Sequence, residues 1–168
     1  MIDRSIFCPA VKKRNKNRPI MLYVGLISKS RNIETFLKLP IKGLKRIIGD
    51  GPHVKELSRK YPYAEFLPTM DDKTLAGAMS QANVLVFPSK NRRLEAHLVQ
   101  ALACGLPIAG YPTDLLSIIL DRDGIGCCNT NLELAVRKAL HESNASKCAQ
   151  RSFEIEEFIG YAIRSHIV

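Results

Sequence analysis

The sequence predicts an α/β protein, a doubly wound parallel sheet of about six strands, and two observations carry that prediction. Apolar runs alternate with stretches of helical spacing along the whole chain. Several of those runs are apolar at every position, the pattern of strands buried on both faces rather than on one. The expected strands are 20–24, 44–48, 64–67, 84–87, 107–110 and 125–128. Between them, Val54, Leu57 and Tyr61 share a helical face after Pro52, a good first-turn residue. Asp71 or Asp72 caps a helix that presents Leu75, Met79 and Ala82. A helix over 94–104 follows the fourth strand. Thr130 and Glu133 form a capping box ahead of Leu132, Ala135, Val136, Ala139 and Leu140. A last helix is expected over about residues 143–163.

Composition bounds the rest. A chain of 168 residues, 46% apolar, suits one domain with a full core. No run approaches the roughly 18 apolar residues of a membrane span, and the basic N-terminus lacks the apolar stretch of a secretion signal. The expected location is cytoplasmic. Cys8, Cys104, Cys127, Cys128 and Cys148 are odd in number and contain no C-x-x-C, so they read as small hydrophobes in a reducing compartment. No histidine lies near a cysteine at ligand spacing, and no metal site is expected. The formal charge is +9, and Lys12, Lys13, Arg14, Lys16 and Arg18 fall within seven residues. Residues 1–18 read as a linker or basic strap ahead of a domain over 19–168. The strap reads as solvated chain, with attraction to an anionic membrane surface as its functional reading. It holds no aromatic side chain to stack on bases, which argues against nucleic acid.

In a doubly wound sheet, ligands bind outside the carboxyl ends of the strands. That rule selects the loops at 25–31, 49–52, 67–70, 89–95 and 111–115. The first of them carries Gly25 alone and no G-x-G-x-x-G, so a dinucleotide reading lacks its phosphate turn. There is no G-x-x-x-x-G-K-[ST] and no G-x-S-x-G elbow.

Taken together, V-G-x-x-S-x-x-R-N-I-E from Val24, I-I-G-D-G-P from Ile47, F-L-P from Phe66, A-N-V-L-V-F-P-S from Ala82 and Q-A-L-A-C-G-L-P-I-A-G-Y-P from Gln100 resemble the C-terminal, donor-binding domain of retaining GT-B glycosyltransferases. The resemblance covers about residues 20–160 and is nearest to the bacterial mannosyltransferase and lipid-glycosyltransferase branch. It implies a Rossmann-like domain that holds a GDP- or UDP-linked sugar. Ile2 to Pro9 resembles the segment that leads into that domain, which implies that the N-terminal, acceptor-binding domain is absent from this chain. No catalytic residue and no cofactor are implied here.

The resemblance also places the donor contacts. In the family, an arginine directly after V-G and a lysine five residues on hold the diphosphate; those positions are Leu26 and Arg31 here. Arginine can still grip phosphate through two parallel hydrogen bonds. Gly49 and Gly51 form the second loop. Two glutamates with seven residues between them, bracketing Phe-Gly, contact the sugar and the ribose in the family. They fall on Arg92 and Gln100, and Phe-Gly falls on Leu94-Glu95. Gln100 can accept a hydrogen bond without charge. Arg92 reverses the expected charge, and Glu95 replaces a glycine. A carboxylate about 4 Å from a phosphate charge costs roughly 4 kcal/mol at an effective dielectric of about 20. Swinging into solvent, serving as a first-turn helix acid, or pairing with Arg92 or Arg93 are alternatives for Glu95. His97 reads as a packing or surface residue, and Asp114, Leu115 and Leu116 as a loop facing the donor. The expected function is the donor-binding half of a hexosyltransferase, inactive without a partner half. A non-catalytic domain that has lost its site, and a basic lipid- or nucleic-acid-binding module, are the alternatives.

Overall fold

The computed structural model describes residues 2–9, 14–90, 94–121, 123–142 and 144–165, with side chains in the final helix through Phe158. Strands and helices alternate in the order β1 (Ile20–Val24), α1 (Ile33–Leu37), β2 (Leu44–Ile48), α2 (Val54–Lys60), β3 (Glu65–Leu67), α3 (Asp72–Gln81), β4 (Val84–Phe87), α4 (Ala96–Ala103), β5 (Ile108–Gly110), α5 (Asp114–Ile119), β6 (Gly126–Cys128), α6 (Leu132–His141) and α7 (Ala145–Ser165). A single 3-10 turn, Lys29–Arg31, leads into α1. All pairings are parallel and the spatial order is β3-β2-β1-β4-β5-β6. The order reverses between β1 and β4, the switch point of a doubly wound sheet.

The sheet is buried on both faces, and the alternation of side chains along each strand separates two cores. Leu22, Val24, Ile48, Leu85, Phe87 and Ile108 pack with Leu75 and Met79 of α3, Leu98 and Leu102 of α4, and Cys148 and Ile155 of α7. Met21, Tyr23, Ile47, Val84, Val86 and Ala109 pack with Ile33, Phe36 and Leu37 of α1, Leu57 of α2, and Leu132 and Val136 of α6. The six strands lie within one residue of the expected positions.

Of the local expectations, the Asp71 cap holds and others need correcting. The side chain that caps α6 is Asn131, whose Oδ1 accepts from the amides of Glu133 and Leu134, not Thr130. Asp71 caps α3 by accepting from the Thr74 amide at 2.9 Å. Asp114, Leu115 and Leu116 are not a loop. They open α5, capped by the Thr113 hydroxyl, and Leu116 is buried. Cys104 and Cys148 are buried, and burial pushes their thiols up to about 11 and about 12, but Cys8 is exposed and does not act as a core hydrophobe.

The N-terminal segment is held by the domain. Phe7 is 2% exposed and belongs to the core that contains Leu102 and Ile155. Arg4 donates to the Ser152 hydroxyl at 2.8 Å, pairs with Glu156 and lies 3.4 Å over the Phe153 ring centroid. Composition assigned Arg14 to a solvated run, yet its guanidinium donates to the carbonyls of Cys104 and Gly105 at the end of α4 and of Ser80 near the end of α3. A cation at two helix C-termini satisfies carbonyls that have no partner within the helix and complements both dipoles. Lys16 and Arg18 are exposed, and Lys12 and Lys13 lie outside the described residues.

A second ion cluster ties α1 to α2. Glu34 accepts from Lys60 and from the Tyr61 hydroxyl, and these hydrogen bonds pull its carboxyl from 4.5 to about 2. A carboxyl whose folded value is depressed stabilises the fold above its unfolded value and loses that contribution as pH falls. Glu34→Gln should therefore be less stable than the parent protein at neutral pH. The gap should close as pH drops from 4.5 towards about 2, read as the difference in urea midpoints.

Candidate functional site

The site is assembled by the loops that leave the carboxyl ends of β1, β2 and β3. Gly25 ends β1 with φ +142°, and its amide donates to the Ile48 carbonyl at 3.0 Å. The Ile27 amide donates to the Asp50 carbonyl at 2.8 Å, and the His53 amide to the Ile27 carbonyl at 3.2 Å. The two loops thus run side by side, bonded through their backbones. Such an approach leaves no room for a Cβ. One placed on Gly49 (φ +149°) would lie 1.9 Å from the Gly25 carbonyl oxygen, and one on Gly51 (φ +156°) would lie 2.3 Å from the Ile27 carbonyl oxygen. Both expected glycines are therefore required by loop geometry.

These loops wall a cavity of about 350 Å³. Val24, Gly25 and Leu26 line it after β1, Ile48, Gly49 and Asp50 after β2, and Thr69 and Met70 after β3. Asp72 and Leu75 of α3 and His97 of α4 complete it. The cavity thus reaches from the β3 edge to the switch point, where the carboxyl-end rule expects a ligand. A second cavity, about 370 Å³, lies past β4, β5 and β6 and is lined by Lys90, Tyr111, Pro112, Thr113, Asp114 and Thr130. A larger one, about 590 Å³, opens at the opposite, amino ends of the strands around Lys16, Pro19, Asn83 and Arg137. Size alone would favour the last, but the switch-point rule selects the first.

Arg31 and Glu95 meet at the rim of this cavity. Arg31 closes the 3-10 turn before Asn32, which adopts the left-handed conformation (φ 55°) and turns the chain into α1. Glu95 is the residue at the start of α4. Their side chains form an ion pair, 22% and 18% exposed. The other Glu95 carboxylate oxygen lies 3.8 Å from the point where a Cβ on Gly25 would project. Beneath them the Tyr23 hydroxyl donates to the Leu26 carbonyl at 2.7 Å, and burial pushes that hydroxyl's pKa up. Leu26 is half exposed and contributes no charge.

The structure therefore pairs Arg31 with Glu95 beside Gly25 and packs Gly49 and Gly51 against the same loop, and of these four Gly49 lines the cavity. Gln100 lies one turn along α4, with its Oε1 3.0 Å from His97 Nδ1, so its amide oxygen is already engaged with that ring. Leu94 is exposed, and Arg92 lies outside the described residues. Asp50, Asp72 and His97 were not expected to line the site: Asp72 was read as a candidate helix cap and His97 as a packing or surface residue, yet all three sit in or within two residues of loops that the carboxyl-end rule selects. His97 is two residues past Glu95, so its place at the start of α4 was the available signal.

Comparison with known proteins agrees with this geometry. Residues 18–142 match the family model described as glycosyl transferases group 1. The chain is 30% identical over 129 residues to the GDP-mannose-dependent alpha-mannosyltransferase of Mycobacterium tuberculosis, covering 69% of this chain and 34% of that protein. It is 27% identical over 115 residues to the sulfoquinovosyl transferase SQD2 of Arabidopsis thaliana, covering 65% of this chain and 22% of that protein. Among solved structures, the sucrose-phosphate synthase of Thermosynechococcus elongatus superposes with a TM-score of 0.73 at 19% identity, over 98% of this chain and 51% of that one. Anabaena HepE in complex with UDP and glucose gives 0.64 at 19% identity, over 89% of this chain and 49% of that one. The chain spans about a fifth to a third of those two curated relatives and half of those solved chains. The family match takes in every strand and every loop around the cavity, so the chain belongs to the glycosyl transferases group 1 family, with the Rossmann-like fold of GT-B glycosyltransferases.

Proposed function

We propose that this chain is the donor-binding half of a nucleotide-sugar glycosyltransferase, and that hexosyl transfer needs a second domain to bring the acceptor. The cavity at the carboxyl ends of β1, β2 and β3 carries this reading, because parallel doubly wound sheets bind ligands there. The names of the relatives support a GDP- or UDP-linked donor: one is GDP-mannose-dependent, and HepE was solved with UDP and glucose. Transfer requires an acceptor oxygen beside the sugar carbon and a group that stabilises the departing diphosphate. This half supplies at most the second. An N-terminal GT-B domain on a separate chain would supply the acceptor site. Among the described residues no helix is long and apolar enough to cross a membrane. Lys16 and Arg18 suit weak attachment to an anionic membrane surface from the cytoplasmic side, worth about 1 kcal/mol per basic residue.

The test has two parts. Calorimetry with GDP and UDP should show saturable binding of one of them in the millimolar range or tighter. Incubation with GDP-mannose or UDP-glucose and lipid or glycan acceptors should give no transfer. Transfer by the purified chain alone would overturn the requirement for a partner. The Arg31–Glu95 pair favours a second reading, a non-catalytic GT-B domain whose donor site is closed. Absence of any nucleotide or nucleoside binding would select it.

A further inference from the structure

We infer that Glu95 sets the ligand preference of the cavity, so that it takes a nucleoside, which carries no phosphate, at least as well as the corresponding nucleoside diphosphate. This rests on the proposed donor-binding function and specifies its chemistry. The observation is the distribution of charge around one cavity. The residues that line it include two carboxylates, Asp50 and Asp72, and no lysine or arginine. The cation at its rim, Arg31, is paired with Glu95. That pair is about four-fifths removed from water on both sides, so separating it leaves two poorly solvated charges.

A ligand seated against Gly25 meets Glu95 directly, because its carboxylate stands 3.8 Å from the Gly25 Cβ direction. An incoming diphosphate has two courses. It can leave the ion pair intact and face a cavity whose described lining carries two carboxylates and no lysine or arginine. It can instead take Arg31 for itself, and then the freed Glu95 carboxylate remains beside the phosphate oxygens. Like charges are juxtaposed in both cases, which weakens binding of the anion. Ribose hydroxyls and base amino groups meet the opposite situation, since they can donate to the carboxylates of Asp72 and of Asp50, one oxygen of which already accepts from the Gly51 amide. Glu95 thus acts as a built-in anion that occupies Arg31 in place of phosphate.

The experiment uses the full chain and two variants, Glu95→Gln and the double variant Glu95→Gln with Arg31→Ala, titrated calorimetrically with guanosine, GDP, uridine and UDP. Melting temperatures confirm that each variant is folded. In the parent protein the nucleoside should bind as tightly as its diphosphate or more so. Glu95→Gln should raise the affinity for the diphosphate about tenfold or more relative to that for the nucleoside. The double variant should lose that gain, because the released Arg31 produces it. A parent protein that prefers the diphosphate about tenfold, or a Glu95→Gln that leaves the ratio of the two affinities unmoved, would overturn the inference while leaving the donor-binding function standing. If neither nucleoside nor diphosphate binds to the parent or to Glu95→Gln, both fall together.

Discussion

Gly49→Ala is expected to cost roughly 3 kcal/mol of folding stability and to deform the cavity in the same step. The added methyl would lie 1.9 Å from the Gly25 carbonyl oxygen and 3.0 Å from its carbon, and both are backbone atoms that no rotamer change can clear. The backbone at +149° is also one that side-chain-bearing residues rarely adopt. The loops after β1 and β2 must therefore separate, which strains the Gly25-to-Ile48 hydrogen bond and moves two walls of the site. Thermal unfolding should fall by about 10 °C, and nucleotide or nucleoside binding should weaken in parallel. Gly77→Ala is the matched control. Gly77 lies within α3, with nothing within 4 Å of an added Cβ, and the change should stabilise by about 0.5–1 kcal/mol. A Gly49→Ala protein as stable as its parent would mean that the loops are not in contact.

Phe7→Ala should cost about 3–5 kcal/mol. Its ring is 2% exposed, in the core shared by α4 and α7, and truncation leaves a ring-sized cavity between them. The comparison is Phe158→Ala on α7, which is 69% exposed and should change stability by no more than about 0.5 kcal/mol. Equal urea midpoints for the parent and Phe7→Ala would show that the N-terminal segment is only loosely attached.

Comparing these residues shows where the sequence was legible. The central strands could be read because burial on both faces favours apolar residues at every position, and Val84–Phe87 is buried throughout. Their carboxyl-end loops followed, and so did most of the cavity walls. The helices α1 and α5 were missed because five and six residues are too few to display a helical period. Asn131 displaced Thr130 as a cap by one position, within the margin of local pattern reading. Phe7 and Arg14 looked like parts of a basic strap because their partners lie far along the chain: α7 for one, the ends of α3 and α4 for the other. The partner of Glu95 was hidden for the same reason. The residue was flagged as a departure from the family, but sequence reasoning looked for its counterion at Arg92 or Arg93. The pair it forms spans 64 positions, and only the folding of β1 beside β4 brings the two together.

The backbone bonds between the loops after β1 and β2 also have an entropic consequence. Ordering a mobile residue costs about 1–2 kcal/mol of conformational freedom, and a floppy binding loop loses that freedom when its ligand arrives. Here the Ile27, Gly25 and His53 amides already hold the two loops in register. Folding itself has set the shape of this wall, so a ligand gains from its contacts without first having to freeze the surface that makes them. Amide exchange at Gly25, Ile27 and His53 should be slow whether or not the cavity is filled.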